Sequence, residues 1–216
     1  MKTPYFSVVL ATYNREKLIE RAVKSLLQQT EKDWELIIID DGSEDHTAEI
    51  LQPYLENNKN IKYFHQENKG FIKAKNAGIK KTKGKYITFL DSDDAYALKH
   101  LEIRKEILEK DKSIDFLHGG VKIIGQAYVP DVKNPEKKIH LSECFIGGTY
   151  FLNKKAVQKL EGFKSTALET DYNFMQRAKS ADLKIEKTDF PTYIYHRDAG
   201  SSITNDMLSK MNEKSI

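Results

Sequence analysis

The chain has 216 residues, enough for one α/β domain with its own core, or at most a domain with a short appendage. With 39% hydrophobic and 31% charged residues it falls outside the disordered range, and no apolar run approaches the roughly 18 residues of a membrane span. The formal charge of +3 is carried mostly by lysine, with arginine only at positions 15, 21, 104, 177 and 197, which is not the footprint of a nucleic-acid reader. A single cysteine, Cys144, excludes an internal disulfide and a multi-cysteine zinc cluster. The sequence runs from Met1 straight into a strand pattern without a signal-peptide core, so a cytoplasmic protein is expected. A lysine-rich surface suits an anionic phospholipid headgroup, in peripheral contact at the inner face of the membrane, or a lipid-linked phosphate acceptor.

Residues 6–11 form an apolar run that ends in Thr12-Tyr13-Asn14-Arg15. A helical pattern follows, with Leu18, Ala22, Leu26 and Leu27 on one face and Asn14 as its expected N-cap. Residues 34–39 are nearly all apolar, as a strand covered on both faces must be, and stop at Asp40-Asp41-Gly42-Ser43. A helix is expected over 45–55, a third strand over 61–64, and a helix opening at Asn68-Lys69-Gly70 and running through Ala74, Ala77 and Ile79. The fourth strand is Tyr86-Ile87-Thr88-Phe89-Leu90, which ends abruptly in Asp91-Ser92-Asp93-Asp94. Strands alternating with helices predict a Rossmann-like, mainly parallel sheet flanked by helices.

In such a sheet every strand's carboxyl end lies on one side, so Thr12 and Asn14, Asp40 and Asp41, and the acids at 91 to 94 converge where open α/β folds bind ligands. Crowded carboxylates repel one another unless a cation separates them, and hard ions such as Mg²⁺ or Mn²⁺ prefer oxygen ligands. A solvated Asp-rich turn, or an N-cap for a helix over 98–108, accounts for the same residues without a metal. No Gly-x-Gly-x-x-Gly follows the first strand and no Gly-Lys-Ser/Thr loop occurs, which argues against a dinucleotide reductase and a P-loop NTPase.

The second half is less regular. Residues 115–121 read as a short strand or hairpin arm, and 122–141, with Gly125, Pro130 and Pro135 among charges, as a surface loop rather than a lid. Residues 147–152 look like a glycine-initiated strand, and 154–160 and 170–181 look helical. Asp171, in the first turn of the latter helix, is read by spacing alone as a dipole-stabilised cap. Residues 191–196 form an edge-type strand. His196 either approaches a metal or phosphate or is a hydrogen-bonded surface residue. Residues 205–216 form a polar tail.

These blocks occur in an order that resembles the family 2 glycosyltransferases, inverting enzymes of the GT-A fold that use nucleotide-sugar donors. The matching residues are the stretch from Ser7 to Arg15, Ser25-Leu26-Leu27-Gln28-Gln29-Thr30, the stretch from Trp34 to Ser43, Asn68-Lys69-Gly70, Ala74-Lys75-Asn76-Ala77-Gly78 and the stretch from Tyr86 to Asp94, with weaker matches extending to Thr204. The resemblance implies a single GT-A domain over 1–204, with a nucleotide-sugar half at 1–100 and an acceptor half at 101–204. Thr12, Asn14, Asp40 and Asp41 would then line the donor pocket, as would Lys75, where the family often has arginine. Asp91-Ser92-Asp93 matches the family's DxD motif, implying Asp93 as the contact to Mn²⁺ or Mg²⁺ with Asp91 beside it and His196 near the metal or diphosphate. Asp171, preceded by Thr170 where the family usually has Glu, matches the general base. The implied substrates are a nucleotide-diphosphate sugar, a UDP-sugar foremost, and a glycan or lipid-linked acceptor. A non-catalytic nucleotide-sugar-binding or scaffold domain of the same fold is the alternative.

Overall fold

The computed structural model describes residues 3–131, 134, 136–164 and 170–198. The chain opens with β1 (Phe6–Thr12), α1 (Ile19–Leu27), β2 (Trp34–Asp40), α2 (Thr47–Asn57), β3 (Ile61–His65), α3 (Phe71–Lys81) and β4 (Tyr86–Phe89). It continues through β5 (Ala95–Tyr96), α4 (His100–Lys110), β6 (Phe116–His118), β7 (Val121–Gly125), β8 (Tyr128–Pro130) and β9 (Lys138–His140). The remaining elements are β10 (Phe151–Asn153), α5 (Lys154–Leu160), α6 (Thr170–Ser180), β11 (Ile185–Lys187) and β12 (Tyr193–Arg197).

The central sheet has seven strands in the order β11-β6-β10-β4-β1-β2-β3. All adjacent pairs are parallel except those of β10, which runs antiparallel to both β4 and β6. Both halves of the chain share this sheet. Alternation along the strands sends Phe6, Val8 and Leu10 of β1 and Leu36 and Ile38 of β2 to one face, where α1, α2 and α4 pack. Val9 of β1 and Ile87 and Phe89 of β4 face the other side, beneath α3, α5 and α6. All seven residues of β2 are buried, Glu35 and Asp40 included, as a nearly all-apolar strand covered on both faces requires. At about 1.5–3 kcal/mol for each large apolar side chain, these two cores are the main stabilising force. α3 lies close on the sheet because its Gly78 has no Cβ, which would sit 2.4 Å from Val9 Cγ1.

The strand order reverses direction between β1 and β4, and that switch point is where an open α/β sheet leaves a crevice. A second, three-stranded sheet, β5-β12-β7, brings the last described strand to it. β5 follows the acid turn directly, and Tyr193 and Ile194 of β12 pair with its Tyr96 and Ala95. The strand predicted as an edge is therefore central, with β7 parallel on its other side. Pro191 is tolerated because it lies just before the strand, where no ladder donor is needed.

Three other expectations are revised. Residues 122–141 are not plain loop but contain β7 and the two-stranded hairpin β8-β9. The Gly-Gly segment is a 3₁₀ turn over Gly147–Thr149, and the strand starts only at Phe151. Asn14 is not the N-cap of α1, which begins at Ile19 behind Leu18 without a side-chain cap. The stretch Gly200-Ser201-Ser202 and the predicted tail at 205–216 lie outside the described residues.

Candidate active site

β1 and β2 end in register, with Thr12 opposite Asp40 and the Asp41 N–H donated to the Thr12 carbonyl at 2.9 Å. The fully buried Asp40 is committed to the scaffold. One oxygen accepts the Ser43 N–H at 2.8 Å and the other the Tyr63 hydroxyl at 2.5 Å. Asp41 shapes the adjoining wall, accepting from Gln66 Nε2 at 2.7 Å, the Lys69 N–H at 3.0 Å and the Gly70 N–H at 2.7 Å. Asn14, at φ +50°, ties the first turn to the second, because its Oδ1 accepts the Glu44 N–H at 2.8 Å and its N–H is donated to Ser43 Oγ at 2.9 Å. Thr12 is the exception among these groups: its buried Oγ1 has no protein partner, so it is a polar atom that a ligand at this edge could satisfy.

The acid turn lies beside it, closed by the Asp94 N–H donated to the Asp91 carbonyl at 3.0 Å, with Ser92 buried inside. Lys75, from α3, places its ammonium 2.8 Å from Asp91 Oδ1 and within 6 Å of the rings of Phe71, Phe89 and Phe163. Burial alone would pull this ammonium down, but Asp91 and then Asp171 outweigh it and hold the pKa above its ordinary value. Burial raises the Asp93 carboxyl and the Asp91 charge adds to it, with Arg15 and Lys75 opposing. Arg21 of α1 donates from Nη2 to the Asp93 carbonyl. Burial also lifts Asp94 well above the carboxylate range, helped by Asp93 and Asp91, while hydrogen bonds from Tyr193 and His196 oppose the rise.

Asp171, in the first turn of α6, does more than favour its own helix dipole. Its Oδ2 accepts the Gly147 N–H at 2.8 Å, and its backbone carbonyl accepts the Tyr150 hydroxyl at 2.9 Å. Desolvation raises its pKa, Lys75 works against the rise, and Asp91 adds to it. A carboxylate made more basic by desolvation, within electrostatic reach of a buried ammonium, suits proton abstraction. His196 is brought to the same edge by β12, with its N–H donated to Asp94 Oδ1 at 2.8 Å and its Nδ1 3.1 Å from Asp198 Oδ1.

Of the sequence-derived candidates, Thr12, Lys75, Asp91, Ser92, Asp93, Asp171 and His196 gather around this crevice, while Asp40, Asp41 and Asn14 build its walls. Arg15, Arg21 and Tyr193 belong with them but were not singled out. Arg15 is the last residue of the predicted strand-end turn, so position alone could have placed it. Nothing local marks Arg21 or Tyr193, whose contacts lie 72 and 99 residues away.

Among the described residues no group of three or more His, Cys, Asp or Glu side chains is arranged to hold a metal. The donor chemistry still fits Mg²⁺ or Mn²⁺ shared with a substrate. Such ions are commonly held by one or two carboxylates plus phosphate oxygens, and Asp93 with Asp91 beside it is a crowded carboxylate pair of that kind.

Solved structures show the class of fold. The chain is similar to S. aureus TarS 1–349 in complex with UDP-GlcNAc, with a TM-score of 0.73 and 24% identity, over 91% of this chain and 59% of that one. It is similar also to the mannosyltransferase PcManGT from Pyrobaculum calidifontis in complex with GDP-Man and Mn²⁺, with a TM-score of 0.72 and 15% identity, over 95% and 60% of the two chains. The architecture is GT-A. Sequence identifies the family: the profile of glycosyl transferase family 2 matches residues 7–182, and the chain belongs to that family. An uncharacterized glycosyltransferase, RC0461 of Rickettsia conorii, is 45% identical over 108 residues, which cover 50% of this chain but 18% of that relative. No described helix is long and apolar enough to cross a membrane.

Proposed function

We propose that the protein is an inverting glycosyltransferase that moves a sugar from a nucleotide-diphosphate donor, a UDP-sugar foremost, to a hydroxyl of a glycan or lipid-linked acceptor. The observation that carries this reading is Lys75, a buried ammonium 2.8 Å from Asp91 that also acts electrostatically on Asp171. It links the acid turn to the candidate base.

In this mechanism Asp171 accepts the proton of the acceptor hydroxyl as that oxygen bonds to the anomeric carbon. The bond from the anomeric carbon to the diphosphate oxygen breaks on the opposite face, the electron pair leaves with the nucleotide diphosphate, and configuration inverts. Gly147 and Tyr150 fix the base, so its geometry contributes alongside its basicity. Arg15 and Lys75 supply positive charge near the acid turn. Asp93, with Asp91 beside it, would hold Mg²⁺ or Mn²⁺, which when bound offsets charge on the diphosphate. The buried Thr12 hydroxyl and the wall built by Asp41 would receive the nucleoside. A purely nucleotide-sugar-binding domain would have no use for a fixed acid at position 171.

Calorimetric titration with UDP, GDP, CDP and dTDP, each with and without Mn²⁺, tests the donor half. The expected result is metal-dependent binding of one nucleotide, UDP first, abolished in Asp93→Ala. Equal binding by that variant, or no binding of any of the four, overturns the reading.

A further inference from the structure

We propose that Tyr193, seated against Gly148, is a positioning residue that sets the separation between the acid turn and Asp171. The proposal rests on the reading of Asp171 as the base.

Tyr193 is completely buried, and its hydroxyl is donated to Asp94 Oδ2 at 2.6 Å. The Tyr193 phenol oxygen in turn accepts the Asp91 N–H at 3.4 Å, so one phenol touches both ends of the acid turn. The ring is clamped from behind by Tyr96, at 5.8 Å between centroids, and His100, at 6.1 Å. Its backbone is held by β5 and by the Tyr193 N–H donated to the Gly120 carbonyl at 3.1 Å. A side chain so confined transmits a displacement instead of absorbing it.

The same hydroxyl end of the ring meets the Gly-Gly turn. A Cβ on Gly148 would lie 2.1 Å from both Cζ and Oη of Tyr193, an overlap that no other residue avoids without displacing the ring. A Cβ on Gly147 would lie 2.5 Å from Asp171 Oδ1, and the Gly147 N–H is donated to the other oxygen of the same carboxylate at 2.8 Å. The two glycines are adjacent, so one Cα step of about 3.8 Å separates the residue touching the base from the residue touching Tyr193. The turn is itself stiffened by the Tyr150 N–H donated to the Gly147 carbonyl and by Thr149 Oγ1 donated to the Ile146 carbonyl. Acid turn, phenol, glycine pair and base thus form one continuous contact path. An ordinary core tyrosine would need neither the two bonds to the acid turn nor a missing Cβ facing its hydroxyl.

The test uses Gly148→Ala, Tyr193→Phe, Tyr193→Leu and the double variant Gly148→Ala/Tyr193→Leu. Release of UDP from UDP-GlcNAc and UDP-glucose gives turnover, UDP titration gives nucleotide affinity, and thermal unfolding gives stability. A misplacement of about 1 Å costs on the order of 10²-fold in rate. Gly148→Ala is therefore expected to lower kcat by about that factor with UDP affinity held within roughly threefold. Tyr193→Phe, which keeps the ring, is expected to lose about tenfold in kcat at unchanged donor KM. The smaller leucine is expected to make room for the alanine methyl, so the double variant turns over faster than Gly148→Ala alone. Full turnover by Tyr193→Phe, equal losses of affinity and rate in Gly148→Ala, or a double variant no faster than Gly148→Ala overturns the proposal. If the wild type releases no UDP from either donor, the glycosyltransferase reading fails and the positioning role fails with it; if the wild type turns over and any of those three results is found, the positioning role alone fails.

Discussion

Replacing Lys75 with methionine keeps most of the side chain's volume among Phe71, Phe89 and Phe163 and removes only the charge. Coulomb's law at an effective dielectric near 20 gives a gross attraction of roughly 6 kcal/mol at the 2.8 Å separation from Asp91. Desolvation offsets much of this, and breaking a buried pair from one side usually costs about 3–5 kcal/mol. Because the Asp91 side chain is 30% exposed, water recovers part of that loss, and a destabilisation of about 2 kcal/mol is expected. The second consequence is chemical. Lys75 holds the Asp171 carboxyl down against desolvation, so its removal lets that pKa rise further. The acidic limb of the pH–rate profile should therefore move to higher pH, since the base must be deprotonated to act. Urea unfolding measures the first effect, and donor turnover against pH measures the second. A variant with wild-type stability and an unmoved acidic limb would show that Lys75 does not bridge the acid turn and the base.

Three further outcomes can be checked. Asp171→Asn should keep nucleotide affinity while transfer falls by about 10²–10⁴-fold, and retained turnover would remove Asp171 from the base role. Arg104, fully buried on α4, donates to the carbonyls of Gly119, Gly120 and Phe190 and to Thr192 Oγ1, and burial lowers its pKa to about 10. Arg104→Met should cost about 2 kcal/mol in chemical unfolding by leaving buried acceptors unpaired, and a neutral effect would mean water replaces it there. His118 is lowered to about 4 by burial, then by Lys187 and Lys179. A depressed histidine contributes stability above its unfolded pKa near 6.5, which is lost as pH falls toward 4, because the unfolded chain takes up a proton that the native ring refuses. Relative to His118→Asn, the wild type should thus lose up to about 1.4 kcal/mol per pH unit across that window, and parallel stability curves would contradict this.

The N-terminal half was legible because its information is local. Apolar runs ending in Thr12, Asp40 and Asp91 give strands whose carboxyl ends share one edge, and the register of Thr12 with Asp40 agrees with that reading. What local reading missed there was how polar atoms are spent. Asp40 and Asp41 looked alike as neighbouring acids, yet Asp40 is consumed by Ser43 and Tyr63 while Asp41 organises residues 66–70. A carboxylate in a turn pattern says that it will be satisfied, not by whom.

The C-terminal half depends on contacts that span most of the chain. β12 seemed an edge strand because the partner that makes it central, β5, is only two residues long and carries no strand signal. The Gly-Gly segment read as the start of a strand because its actual constraint, the phenol of Tyr193, lies 45 positions further along. Asp171 illustrates the same limit from the other side: spacing alone favoured a cap, and only the Gly147 N–H and the electrostatic contact with Lys75 distinguish it from one. The site is therefore assembled in two stages of unequal visibility. A parallel sheet collects the acids by topology, and Asp171 is then set against them by a glycine pair that fits only because of what packs on it from the far end of the chain.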